Sequence, residues 1–155
     1  MKAAAGRAGS IVSVNTSRKK GQIKAPVAAV ELVAGLGITG DAHRGFAHRQ
    51  VSLLMIEDIE EQESRLRAGS SVSLWPGAFA ENLTTRGIDL GALVVDDELI
   101  VGGKVRLRVS QVGKECHTKC AVFHLTGDCI MPVRGIFCEV LAGGTVRAGD
   151  VIEKP

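Results

Sequence analysis

With 155 residues, 45% hydrophobic and 23% charged, the chain has the size and composition of one globular domain with a core of its own. Nineteen Lys and Arg against 17 Asp and Glu leave a net charge of +2, which argues against a general nucleic-acid binder. Aromatic residues make up only 3%, with no Tyr, so no base-stacking platform is visible either.

No apolar run approaches the roughly 18 residues of a membrane helix, and Met1–Arg7 lacks the apolar stretch of a signal peptide. No membrane association is therefore expected, and the cytoplasm is the expected compartment. The four cysteines (116, 120, 129 and 138) are then expected as thiols, metal ligands or catalytic groups.

Short alternating β-branched runs and well-spread glycines predict many short strands joined by tight turns. Ser10–Asn15 reads as a strand and Ser17–Gly21 as a basic turn. Val27–Ala34 is predicted as a second strand, Gly35–Gly45 as a Gly-punctuated loop, and Gln50–Leu54 as a buried strand. The helix is predicted over Glu57–Arg67, with acidic residues in its first turns and Arg65 and Arg67 in its last, the order the helix dipole favours. Glu61 and Arg65, and Glu63 and Arg67, are spaced i,i+4, and Gly69 can close the helix.

Trp75–Thr84 is a loop leading into a strand. Leu99–Val101 and Val105–Val112 form a hairpin around Gly102 and Gly103, with Val105, Leu107 and Val109 on its buried face. Ile136–Leu141, a turn at Gly143 and Gly144, and Gly149–Ile152 complete the chain. Seven to nine strands with one main helix make a mostly β domain spanning 1–155, and a closed or nearly closed β-barrel is the natural way to remove its edges.

The segment Gly113–Cys120 stands out chemically. A thiol attacks as thiolate, and Lys114, His117 and Lys119 lie within three residues of Cys116, where cationic neighbours lower a thiol pKa; Glu115 acts the other way. The competing reading is an inert buried cysteine. For Cys138, between Phe137 and Glu139, core packing is the expectation. The gaps between the four cysteines differ from the two close pairs of a structural zinc site, which makes that alternative a poor match. A second cluster, Asp41, His43, Arg44, His48, Arg49 and Gln50, mixes anion-binding donors with Gly; it reads as an anion cradle, a metal set or a solvated polar loop. Glu81 and Asn82 read as a capping turn or as polar groups aimed into a cleft. Phosphate-loop, dinucleotide and H-E-x-x-H motifs are absent, as is a G-x-S-x-G elbow.

Seven pieces occur in order: Ser17–Gly21, Gly40–His43, His48–Leu54, Gly77–Thr84, Gly113–His117, Gly127–Pro132, and Gly143-Gly144 with Gly149-Asp150. Together the chain resembles a stand-alone MOSC domain, the module named for the C-terminal part of molybdenum-cofactor sulfurases, from about Ile11 to Glu153. The resemblance implies a β-barrel with a few helices. It places the family's cysteine on Cys116, which would carry sulfur as a persulfide or ligate molybdenum. His43, His48, Arg49 and Asn82 would line the cleft near it. Lys114 and His117 would stabilise the persulfide anion, while Arg49, Arg134 and His43 would hold an anionic pterin.

The implied cofactor is molybdenum cofactor (molybdopterin). The implied partner is a cysteine desulfurase or a molybdenum-cofactor assembly protein, and a homodimer is compatible with it. The alternative expectation is a non-catalytic binding module for molybdopterin or an assembly enzyme. Full sulfurases carry a pyridoxal-phosphate domain that this chain has no room for, so sulfur must come from a partner. Glu115 stands where some branches of the family have Pro.

Overall fold

A computed structural model describes residues 6–19, 22–42, 44–45, 49–67, 74–113, 130 and 134–155. Along Val105–Val112 the side chains alternate as expected: Val105, Leu107 and Val109 are buried, while Arg106 is exposed. This strand, β8, forms the predicted hairpin with β7 (Glu98–Val101), and pairs on its other side with β9 (Ile136–Ala142). A register shift between Val109 and Gln111 breaks the alternation, and Val112 ends up exposed.

The remaining elements are β1 (Ala8–Thr16), β2 (Ala25–Val27), β3 (Val30–Val33), β4 (Gly37–Ile38), β5 (Val51–Met55), α1 (Ile56–Arg67), β6 (Leu83–Arg86), β10 (Gly144–Val146) and β11 (Val151–Glu153). Strands run in the order β11-β7-β8-β9-β5-β6-β1, and β11 pairs back onto β1 to close a seven-stranded barrel. Only the β5–β6 pair within it is parallel; α1 makes that crossover. The expected mostly β barrel with one main helix is what the chain forms.

Leu53, Met55, Leu83, Leu99, Val101, Val105, Leu107 and Val109 belong to the core cluster that fills the barrel. A second cluster joins Leu54, Ile56, Ile59, Ala78, Phe79, Ile130 and Phe137. Leu54 alternates with Leu53 and Met55, so the second cluster lies on the outer face of the wall, under α1 and the 75–80 turn. All five residues of β5 are therefore buried, with no polar alternation to read.

Two expectations need correction. Val27–Ala34 is not one strand: β2 pairs with β1, whereas β3 belongs to a separate small sheet with β4 and β10. The polypeptide bends at Ala28 and Ala29 because Val30 and Leu32 are drawn into the core. The Gly35–Gly45 loop likewise contains β4, where Gly37 at φ +115 lies against the Gln50 backbone. In α1, Glu63 accepts the Leu74 amide at 2.5 Å, and Glu61 and Arg65 form no ion pair among the described residues.

Gly9 packs β1 against β6 so closely that a Cβ would stand 2.1 Å from the Arg86 carbonyl oxygen. Gly9→Ala should destabilise the chain by about 1–3 kcal/mol in a urea denaturation, the range of overpacked cores. Leu53→Ala, in the barrel interior, should cost about 2–5 kcal/mol in the same measurement.

Candidate functional site

Four of the sequence segments singled out above converge on one side of the barrel. Their junction is a buried ion pair. Lys24 Nζ lies 2.8 Å from Asp41 Oδ1, and neither side chain is exposed to any extent. Asp41 Oδ1 also accepts the Ser17 amide, Lys24 Nζ donates to Ser17 Oγ, and the Ala42 amide donates to the Ser17 carbonyl. Through these bonds the Ser17–Lys19 turn is locked to the Gly40–Ala42 turn. Asp41 thus belongs to a buried junction, not to a solvated loop. Lys24 gave no signal in sequence, since a single lysine before Ala25–Val27 reads as a surface residue.

The backbone of Lys24 extends the junction. Its amide donates to the Gly77 carbonyl at 3.0 Å. Gly77 has φ +94, and a Cβ there would meet the Lys24 carbonyl oxygen at 2.2 Å, so only glycine fits. The turn that Gly77 opens then wraps the Glu81 carboxylate. Gly77 N and Thr84 Oγ1 donate to Oε2 at 2.9 and 2.6 Å, and Phe79 N donates to Oε1 at 3.3 Å. Burial pushes the Glu81 carboxyl above its ordinary value of 4.5; these hydrogen bonds oppose the shift without cancelling it. Ala80, beside it, is held at φ 64, a left-handed conformation that the closed turn enforces.

Asn15 and Asn82 carry the network across the wall. Asn15 Nδ2 donates to Thr84 Oγ1 and to the Glu81 carbonyl, both at 3.1 Å, and Asn15 Oδ1 accepts Ser13 Oγ at 2.7 Å. Asn82 Oδ1 accepts the Ser52 amide and hydroxyl, and Nδ2 donates to the Asn15 carbonyl. Both side chains are fully buried. The pair Glu81–Asn82 therefore closes a turn and ties β1, β5 and β6 together; the described hydrogen bonds of Asn82 all run to the chain itself. Its role at strand entry follows from the same amide chemistry that made it a candidate ligand.

Arg49 is half-buried two residues before β5 and is engaged in an interaction of its own. Its neighbour Gln50 anchors β9 and the Gly35 turn through Val140 N and Gly35 O. Arg134 sits elsewhere. Its Nε donates to Asp58 Oδ2 of α1 at 3.0 Å, and its terminal nitrogens lie against Gly91. Asn82 is level with Ser52 on β5, while an Arg134 terminal nitrogen lies 4.0 Å from Met55 Sδ at the end of that strand. Lys114, Cys116, His117, His43 and His48 lie outside the described residues, as do Cys120 and Cys129. The chain leaves β8 at Gly113 and returns at Gly135, which are joined by a 2.8 Å backbone hydrogen bond.

Cys138 is fully buried in β9 opposite Val51 and Val109, as core packing led us to expect. Burial, and the nearby Glu139 charge, push its thiol far up. No group of three metal-ligating side chains occurs among the described residues. No helix among them is long and apolar enough to cross a membrane.

A family model for the MOSC domain matches residues 40–153, and the chain belongs to that family. Among solved structures, the YuaD protein of Bacillus subtilis is similar, with a TM-score of 0.76 at 20% identity over 94% of both chains. YiiM of Geobacillus stearothermophilus gives a TM-score of 0.69 at 22% identity, covering 94% of this chain and 74% of that one. YiiM of Escherichia coli gives 0.67 at 21%, covering 94% and 68%. These likenesses establish the shared barrel. No curated protein matches the chain.

Breaking the Lys24–Asp41 pair leaves a charge buried without its partner. Asp41→Asn should cost about 3–5 kcal/mol in chemical denaturation, the range for a buried pair that loses one member. Glu81 gives a pH signature. Its folded pKa is raised, so the folded state binds the proton more tightly than the unfolded one. The stabilisation is complete below the ordinary value of 4.5 and is lost as pH rises through the folded pKa. The stability difference between wild type and Glu81→Gln, followed by thermal melts across that range, should shrink as pH rises.

Proposed function

We propose that the chain is a sulfur-carrier domain of molybdenum-cofactor metabolism in which Cys116 holds a persulfide. The observation that carries this reading is the family match over residues 40–153, which spans Cys116 and its basic neighbours Lys114 and His117. The family is associated with molybdenum-cofactor-related function. The inert burial of Cys138 also favours Cys116, since it removes one competing thiol.

The transfer step conserves atoms and electrons. The Cys116 thiolate attacks the terminal sulfur of a persulfide on a partner cysteine desulfurase. The donor S–S bond breaks, the donor cysteine leaves as thiolate, and Cys116 becomes Cys–S–SH. Lys114 and His117 hold the negative charge on the sulfur before attack and on the persulfide after it. The partner supplies the sulfur, so the chain acts as a sulfur transferase only together with it.

Four of the residues expected at the cofactor or beside the thiol, His43, His48, Lys114 and His117, lie outside the described residues. Among the described ones, Asn82 is bonded within the wall and Arg134 is tied to Asp58. Sulfur relay is proposed ahead of cofactor storage because it asks only for Cys116 and its basic neighbours.

Incubating the full chain with a cysteine desulfurase and cysteine should add roughly 32 Da, one sulfur, to the intact mass. Peptide mapping should place it on Cys116. Cys116→Ser should abolish the adduct and Cys138→Ala should leave it in place. An adduct that persists in Cys116→Ser overturns the proposal.

A further inference from the structure

A fully buried ion pair is a poor source of net stability, because desolvating both charges offsets most of their attraction; its best-attested use is to fix register. The Lys24–Asp41 pair fixes the Ser17–Lys19 turn against the Gly40–Ala42 turn. What these turns present to solvent is therefore held in a set arrangement. Residues 17–24 and 40–49 contain six of the 19 basic residues and a single acid, Asp41, which Lys24 neutralises. Arg18, Lys19 and Arg44 are exposed, and none of them forms an ion pair or hydrogen bond through its side chain. The near-neutral net charge of +2 hides this concentration.

We infer that the joined turns form a cationic docking rim for the acidic surface of a partner protein. Three long, exposed cations on two turns suit a broad acidic face better than a small anion, which needs converging donors in a recess. A cleft of about 370 Å³, lined by Gly6, Arg7, Asp89, Ala92, Leu93 and Lys154, lies at the opposite end of β1. The chain's overall charge balance disfavours nucleic acid as the occupant. Fixing the two turns relative to each other gives the rim a definite pattern, and patterned charge sets encounter rate and orientation. Nothing in this inference depends on Cys116 carrying sulfur.

The test titrates the ¹⁵N-labelled full chain with a deca-glutamate peptide at low salt, about 25 mM. Parallel titrations use a twelve-nucleotide DNA strand and inorganic pyrophosphate. The peptide should shift the amides of Arg18, Lys19 and Arg44, and binding should weaken at least about tenfold at 300 mM salt, where the screening length approaches 5 Å. The triple variant Arg18→Glu, Lys19→Glu, Arg44→Glu should lose binding at least about tenfold, with the rest of its spectrum unchanged. The control triple Arg7→Glu, Lys104→Glu, Arg147→Glu changes net charge equally and should lose less than about threefold. Equal losses in the two triples, or no peptide binding at low salt, overturn the inference. So does tighter binding of the DNA strand, which assigns the rim to nucleic acid, or displacement of the peptide by stoichiometric pyrophosphate, which assigns it to a small anion.

Discussion

Glu81 and the side chains of Asn15 and Asn82 have no contact with water, so the chain itself must satisfy their polar atoms. That requirement governs the architecture on this side of the barrel. Asn82 can bond Ser52 and Asn15 only if β6 enters beside β5 and β1. Glu81 can be satisfied only if the chain from Gly77 to Phe79 curls its amides inward. The curl in turn presses Gly77 onto Lys24, and Lys24 reaches Asp41. A half-satisfied network of this kind would cost more than an apolar core, which gives it an all-or-none character.

The network explains why residues far apart in sequence act as a unit. Residues 15, 24, 41, 52, 77, 81, 82 and 84 meet through hydrogen bonds, while the aliphatic filling of the barrel supplies bulk stabilisation that many similar side chains could provide. The scaffold is thus specific where it is polar and generic where it is apolar. Cys116 follows Gly113 by three residues, and the Gly113 amide donates to the Gly135 carbonyl where β8 ends and β9 begins. Cys138 lies inside the wall, where burial pushes its thiol pKa up.

Much of the fold could be read from residue patterns. Alternation placed β8 and its hairpin, acidic first turns placed α1, and the scarcity of helical periodicity implied a barrel. The misread stretch was Val27–Ala34, where a continuous apolar run conceals a bend between two sheets. Of the candidate site residues that are described, Arg49 stands beside β5, Asn82 is a tie within the wall and Arg134 clamps α1. Their residue types signalled a polar role, but donors and acceptors that suit a ligand suit a neighbouring strand equally well.

The sequence by itself determined the barrel class, the one main helix and the cysteine with basic neighbours, because periodicity and local charge are written in adjacent residues. Only the tertiary structure decided that Lys24 is buried against Asp41 and that Glu81 is enclosed. It also decided that the basic turn at Ser17 shares a surface with the turn at Gly40. The two turns meet through pairings 17 or more positions apart, which leave no periodic trace in the chain, and the burial that encloses Glu81 comes from segments packed around its local turn.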